Sequence, residues 1–588
     1  MNLDELLERL KGFEWNDIEF KAAQTDVPKN AYETVSAFSN TTGGWLVFGV
    51  EENKGRQFDI VGVIEVDKVQ NDFLSSLRSR EKFNRIIETK ESHILHENKT
   101  LLVFYIPEVH RRDKPIFLNG DIRKTYIRSG SGDMLCSNVE MARFLRDASD
   151  ERYDSGTTSA DPTTCFDSDS LRWYRSLFND RNSGLDASIP DLEFLQDCGL
   201  VLEQAGHLLP TRASILLFGT QRAVAQLLPR PVVDCQFIQA RFQDELPEER
   251  WADRLVVEAN LMQAWRSLVE FYSRHAEHPF QIDPATLQRL EMPPDYLAFR
   301  EAAINLLIHQ DYAEPGRNGL IRFFRDQTIF ANPGDAFIPS EELLDPGDKE
   351  LRNPKIASAF RRVGLSEAAG AGVTFIFRSW QKMGLVPPII NNDRSKRTFE
   401  LILLKEPLVS ETQLLFEAEL GVHLTEQEAA VFAYACRLGR LRLVDIKAVT
   451  GLQTDRAREV ANRLVVQGLL VNVDVLPVPY YELAEHLRGM TEETAQNGSG
   501  PILHELSEAQ WKVIEVADSP HALGMLMNLT GTKRLDRDDF EQNILQPLIK
   551  GHLIQLTRPD QPNHPRQNYI LTEIGQKLRQ RRLSRMTG

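Results

Sequence analysis

Three carboxylates near the start of the chain fall where a charge has to be accounted for, in EWNDIEFKAAQTDVPKNAYETVSAFSNTTGGWLVFGVEENKGRQFDIVG, residues Glu14 to Gly62. Glu14 and Glu19 lie five apart, and Glu52, with Glu51 beside it, follows the apolar run WLVFGV. A Glu flanking an edge strand ordinarily does no more than stay hydrated. Brought to one point, two or three acids repel one another unless a divalent cation or a shared proton neutralises them, and hard cations take oxygen ligands. Mg2+ or Mn2+ held in this way activates water and stabilises charge during phosphodiester cleavage.

A second set sits in FREAAINLLIHQDY. Glu301, Asn305 and His309 are four apart and share one face of a helix, while Ala303, Ile304, Leu307 and Ile308 fill the other. A polar stripe facing water is the plain reading, and His309 has an equally plain one, a hydrogen bond within its domain. The sequel argues for more: IRFFRDQTIFANPG reads as a strand pair ending in Asn332-Pro333-Gly334, then come RNPKIASAF and EAAGAGVTFIF, with Gly370 and Gly372 before a helix. An acid and an amide one turn apart can orient water and hold Mg2+ beside a nucleotide, and the glycines let backbone amides approach phosphates. A third set is basic: HRRDKPIFLNGDIRKTYIRSGSG carries Arg111, Arg112, Lys114, Arg123, Lys124 and Arg128 around Tyr126. It is either a solvated strand face or a surface for phosphate.

The elements that must position these residues follow from pattern. Residues 1–150 read as α/β: a short helix, a strand at Ile18–Lys21, a helix from Ala31 to Asn40, a Gly43-Gly44 turn and the buried strand WLVFGV. Residues 151–169, rich in Ser, Thr, Asp and Gly, read as a linker. Beyond them TRASILLFG is a buried run, PVVDCQFIQARF a strand and VVEANLMQAWRSLVEFYSRH a long amphipathic helix. Residues 411–490 have the helix, helix, helix and strand order of a winged helix, with Arg456, Arg458 and Arg463 on its third helix, and 502–588 repeat the design. A groove-reading module and a protein-docking module are equal expectations for it.

At 588 residues the chain exceeds one core, and at about 150 residues per domain it holds about four. A net charge of -16 with pI ≈ 5.4 excludes a global nucleic-acid footprint, so such contact must be local. The five cysteines are isolated and suit a reducing cytosol rather than a disulfide frame or zinc site. No apolar run reaches the ~18 residues of a membrane span, so the expectation is a soluble, cytoplasmic protein without membrane contact.

The run ExxxxEFK, then SAFxNTxGGxLxFGVxE, then VG resembles the Schlafen/AlbA-type domain over roughly the first 150 residues. The resemblance implies an α+β fold and, for nuclease members, a catalytic metal cluster at Glu14, Glu19 and Glu52. The third position is usually Asp there, and Glu51 competes for it. Residues 170–405 resemble the GHKL-type ATP-binding domain of the helicase-related carboxy-terminal family. That likeness implies an α/β sandwich with Glu301 as general base, Asn305 as Mg2+ ligand, Asn332 and Gly334 at the adenine box, and Gly370 and Gly372 at the phosphate lid. The adenine box commonly has Asp where this chain has Asn332, so binding is expected ahead of fast hydrolysis. The fold expectation is therefore α/β multidomain, with winged-helix modules. The functional expectation is an ATP-regulated, metal-dependent endoribonuclease, with RNA such as tRNA as partner, acting in antiviral or stress response. Lys21, Arg123, Lys124 and Arg128 would position the nucleic acid, and a second protomer would complete the groove. The alternatives are an ATP-binding, DNA-binding transcriptional regulator without cleavage, and an ATPase whose amino-terminal domain oligomerises.

Overall fold

Strand β1 (Ile18–Lys21) alternates apolar and charged residues, so Ile18 and Phe20 face one side of a sheet and Glu19 and Lys21 the other. It pairs in parallel with β2 (Gly44–Phe48), next to which β6 (Lys99–Ile106) and β5 (Lys90–His96) run antiparallel, in the order β1-β2-β6-β5. The run in β2 is buried throughout because both faces are covered. Leu6 of α1 (Leu3–Leu10) joins Ile18, Trp45, Val47 and Val103 on one face. Val35 and Phe38 of α2 (Ala31–Asn40) and Phe73 of α3 (Val66–Leu77) join Phe48 and Phe104 on the other. Gly43 makes the helix-to-strand turn at φ +74, where a Cβ would stand 2.9 Å from the Ile106 carbonyl.

This computed structural model describes residues 3–10, 17–52, 58–130, 132–149, 151–182, 189–244, 250–275, 293–338, 340–345, 349–366, 372–394, 396–410, 413–414, 416–417, 420, 422, 424–473, 479–487, 508–530, 537–550, 553–558, 567–572, 575–576 and 579. A short pair, β3 (Val50–Glu52) with β4 (Phe58–Ile60), follows β2. The hairpin of β7 (Tyr126–Ser129) and β8 (Gly132–Leu135) is tied to α2 through Asn40. The buried Asn40 amide accepts from Ile116 N at 2.8 Å and donates to the carbonyls of Ile116 and Tyr126, each at 2.9 Å. Helix α4 (Asn138–Ala148) starts with a Ser137/Glu140 capping box.

Residues 151–169, expected to be a linker, are fastened down. Asp154 is fully buried and accepts from Lys355 N at 2.7 Å and Ile356 N at 3.1 Å, which caps another helix from outside it. Thr157 and Phe166 form β-bridges to Thr211 and Gly219. One carboxylate and two bridges need little apolar content, so composition misreads the stretch. After it come α5 (Ser168–Arg181), α6 (Asp191–Asp197), the hairpin β9 (Val201–Gln204) and β10 (His207–Pro210), α7 (Arg212–Phe218) and α8 (Gln221–Leu227). The apolar run TRASILLFG is thus the buried helix α7.

The second sheet joins β11 (Val233–Phe237), β12 (Asp253–Val257), β13 (Gly319–Phe323), β14 (Gln327–Pro333), β15 (Ile389–Asp393) and β16 (Thr398–Leu404) in the order β12-β11-β13-β14-β16-β15. The pair β11–β13 is parallel and the others antiparallel. Val256 and Val257, read as the start of a helix, end β12, and α9 (Leu261–His275) begins after them. Helix α10 (Pro294–His309) packs with α9 through Tyr272 stacked on Phe299, and with the sheet through Phe299 against Phe323 and Phe330. Helices α11 (Pro354–Arg362) and α12 (Gly372–Lys382) precede the last two strands. Both sheets fall in one compact unit, Met1–Trp380 with Pro388–Lys405 and Val475–Pro477.

The first part of the other unit has, among the described residues, helices Glu426–Leu438, Leu443–Thr450 and Thr454–Val466, with strands Arg440–Arg442 and Leu470–Val473 on either side of Tyr480–Leu483. The same unit also holds a core of Val513, Leu526, Phe540, Leu548, Ile554 and Leu571. The architecture is mixed α/β and multidomain. Among the described residues no helix is long and apolar enough to cross a membrane.

Removing the Asp154 carboxylate leaves two buried amide donors of α11 unsatisfied. Asp154→Ala should lower unfolding stability by about 2 kcal/mol and Asp154→Asn by less, as read from denaturant midpoints. Equal stability of Asp154→Ala and wild type would refute the capping role.

Candidate functional site

Helix α10 and strand β14 wall a cavity of about 130 Å³. Its floor is apolar, with Ala302, Leu306, Phe330, Ile376 and Leu401, and its polar groups include Asn305, His309, Asn332, Lys349 and Arg352. The four-residue spacing on α10 brings Asn305 and His309 to this cavity as expected from a shared helix face. Glu301, one turn earlier, is buried, and its Oε1 accepts from Asn305 Nδ2 at 3.3 Å. Gly372 opens α12 directly over this pair: a Cβ there would fall on Glu301 Oε1. Gly334, at φ +96, turns the chain off β14 with Arg352 Nε 3.2 Å from where its Cβ would be.

Asn332 of β14 also lines the cavity. It is buried, its Nδ2 donates to the Leu306 carbonyl at 3.0 Å, and its Oδ1 has no partner among the described residues. A buried acceptor without a donor costs about 1–3 kcal/mol. An exocyclic amino group of a purine entering over the apolar floor would satisfy it, so the residues present fit an adenine nucleotide. The half-buried His309 is pushed down to about 4, first by burial and then by the Arg352 charge, so it faces the cavity as a neutral imidazole. Gly370 lies outside the described residues.

The carboxylate site takes a different form. Glu14 lies outside the described residues. Glu19 is held by cations on both oxygens, with Lys21 Nζ at 2.5 Å from Oε1 and Arg128 Nη1 at 2.9 Å from Oε2. The same Arg128 nitrogen is 2.9 Å from Asp133, and Arg128 Nη2 donates to the Ile18 carbonyl at 3.0 Å. Arg128, expected as a nucleic-acid contact, is therefore buried as the counter-charge of Glu19, stacked over the Phe38 ring at 5.1 Å. Glu51 and Glu52 are exposed on β3. Among the described residues no three His, Cys, Asp or Glu side chains are placed to hold a metal ion, so those residues alone do not fit an Mg2+ or Mn2+ centre.

The basic stretch divides. Arg123 and Lys124 are exposed on a 3-10 turn, Arg123 pairing with Asp121 at 3.0 Å. Arg111 and Lys114 turn inward, Arg111 forming a bidentate pair with Glu350 and Lys114 reaching Glu108 at 2.5 Å. Spacing missed a whole group around the cavity wall. Asp311 ion-pairs with Arg146, Arg352 and Arg397, and Phe337 has the guanidiniums of Arg111, Arg152 and Arg352 about its ring. The clue available in the sequence was Arg352 itself, beside the Asn353-Pro354 start of α11.

Two outcomes follow. Arg128→Ala leaves Glu19 and Asp133 facing each other and should cost about 3 kcal/mol or more of stability; a variant as stable as wild type in urea would refute the buried pairing. His309 has a folded value below its unfolded 6.5, so its contribution is intact above pH 6.5 and lost as pH falls toward about 4. His309→Gln should therefore show a smaller drop in melting temperature between pH 7 and pH 5 than wild type, and parallel drops would reject the neutral imidazole.

Comparison with known families agrees with this layout. Residues 14–137 match the family model "Schlafen, AlbA_2" and residues 316–403 match "Putative ATP-dependent DNA helicase recG C-terminal". Residues 142–234 match a domain of unknown function, and residues 513–572 match "Filamentation induced by cAMP protein Fic-like, C-terminal domain". No curated protein matches the chain. Among solved structures, the DIP2311 protein from Corynebacterium diphtheriae is 17% identical, over 95% of this chain and 94% of that one, with a TM-score of 0.37. The N-terminal domain of a "Putative ATP-dependent DNA Helicase RecG-related Protein" from Nitrosomonas europaea is 33% identical, over 23% of this chain and 94% of that one, with a TM-score of 0.19. The carboxylate stretch thus lies in the residues that match the Schlafen AlbA_2 model, and strand β14 of the cavity wall in those that match the recG C-terminal model.

Proposed function

We propose that this chain binds ATP in the cavity between α10 and β14 and uses it to control the handling of nucleic acid by the N-terminal domain. The unpartnered, buried Oδ1 of Asn332 carries the nucleotide half of this reading. Glu301 would serve as general base, Asn305 as Mg2+ ligand, and Gly334, Gly370 and Gly372 would admit the ligand close to the backbone. An amide acceptor carries no charge, so binding with slow turnover is the expected use. For nucleic acid, the exposed Arg123 and Lys124 are the candidates of the N-terminal domain.

The finer form of the proposal is a metal-dependent endoribonuclease of antiviral or stress response, with Glu14, Glu19 and Glu52 as its acids and a second protomer closing the groove over a tRNA-like substrate. A specific observation favours a second reading, an ATP-liganded, DNA-binding regulator without cleavage. Both oxygens of Glu19 are neutralised by Lys21 and Arg128. In addition, the helix Thr454–Val466, in a three-helix and three-strand order that suits a winged helix, exposes Arg456 and Arg458.

ATP at 100 times its Kd should stabilise the wild type by about 2.7 kcal/mol. The shift should vanish in Asn332→Leu and in Glu301→Ala with Asn305→Ala, and it should persist in Asn332→Asp. Unchanged shifts in the first two would reject the pocket. Incubation with tRNA or duplex DNA, in Mn2+ or EDTA, separates the two readings. Cleavage lost in EDTA and in Glu19→Ala supports the nuclease, whereas duplex binding without cleavage, indifferent to Glu19→Ala, supports the regulator.

A further inference from the structure

Between the N-terminal sheet and the second sheet runs a seam crowded with guanidinium groups, and two of their donors have no hydrogen-bond partner among the described residues. Arg394, just after β15, pairs through Nη1 with Glu108, while its buried Nη2 has no partner among the described residues. Arg397, just before β16, gives Nη2 to Asp311 at 2.6 Å and has Nη1 3.7 Å from Glu314, while its buried Nε has no partner among the described residues. Arg143 of α4 rests over the Phe144 ring at 4.9 Å and, among the described residues, has no carboxylate within ion-pair distance.

A buried N–H of a charged group left unbonded costs more than a neutral one, and two such atoms on one seam, with Arg143 as a third cation near them, are unfavourable unless an acceptor arrives. Burial pulls Arg394 down to about 10 and Lys114, which shares Glu108 with it, to about 8. Burial also lowers Arg143, and the Arg397 charge adds to the effect, while the carboxylates of Asp335, Asp147 and Glu140 offset part of it. An anion at the seam would supply the acceptor that Arg394 Nη2 and Arg397 Nε lack. Arginine forks suit tetrahedral oxyanions, which take two parallel N–H bonds at a time.

We infer that Arg143, Arg394 and Arg397 form a binding site for a phosphate-type oxyanion at this seam. The site adjoins the nucleotide cavity: the Arg397 carbonyl accepts from Gly334 N at 3.0 Å, and Arg352, which lines the cavity, shares Asp311 with Arg397. The oxyanion has two sources, the terminal phosphate of a nucleotide reaching out of the cavity or free phosphate and pyrophosphate. The site itself does not depend on the ATP reading.

The test uses the full chain in phosphate-free buffer, with pyrophosphate titrated by calorimetry and by melting temperature. Wild type should bind and melt higher, and Arg143→Gln and Arg394→Gln should each weaken binding about tenfold or more. Among the described residues Arg143→Gln breaks no ion pair within 4 Å, so it disturbs the seam less than Arg394→Gln does. The double variant Glu301→Ala with Asn305→Ala should keep its pyrophosphate response even where ATP binding is gone, which separates this site from the nucleotide reading. Competition between ATP and pyrophosphate, with Arg394→Gln weakening ATP but not adenosine, assigns the oxyanion to the nucleotide tail; simultaneous binding assigns it to a free anion. A wild type that pyrophosphate neither binds nor stabilises, or equal affinity in wild type and both arginine variants, overturns the site.

Discussion

The wall of the cavity between α10 and β14 depends on one buried carboxylate. Asp311 is 3% exposed and takes guanidiniums from three distant parts of the chain, Arg146 of α4, Arg352 ahead of α11 and Arg397 ahead of β16, while its carbonyl accepts from Arg230. Burial alone would raise its pKa, but the combined charge of Arg352, Arg146 and Arg397 holds it below the usual carboxylate range. Burying one carboxylate costs several kcal/mol, and three cations more than offset it only while all are held in place. Arg352 in turn donates to the Asp335 carbonyl and covers Phe337, so the loop that leaves β14 is set by the same charge.

The positions of Asn305, His309, Asn332 and Gly334 were legible in the sequence because local periodicity fixes them. Side chains four apart on a helix share a face, and a Gly after a strand marks a turn. Alternation likewise put Glu19 and Lys21 on the face of β1 opposite Ile18 and Phe20. The fate of Glu19 was not legible. A carboxylate on that face had to be neutralised, but whether by a metal or by cations depends on Arg128, more than a hundred residues away and held in place by the β7–β8 hairpin on α2.

The inward turn of Arg111 and Lys114 shows the same limit. In sequence they belong to one basic run with Arg123 and Lys124. In the fold, Arg111 finds Glu350, 239 residues further on, while the 3-10 turn at Ile122–Lys124 stays in solvent. Long-range ion pairs leave no spacing signature, and a stretch anchored by one buried carboxylate, as residues 151–169 are by Asp154, has the composition of a linker.

The charged seam bears on how the N-terminal domain is best studied by itself. A fragment ending near residue 150 would keep Arg111, Arg112 and Arg146 and lose Glu350 and Asp311, the acids that neutralise them in the whole chain. Such a fragment gains a positive face that the intact molecule does not present, and it would adsorb any phosphate polymer in low salt. Nucleic-acid affinity measured on the excised domain would therefore report the cut surface as much as the native one, and its salt dependence would be steeper than that of the full-length protein.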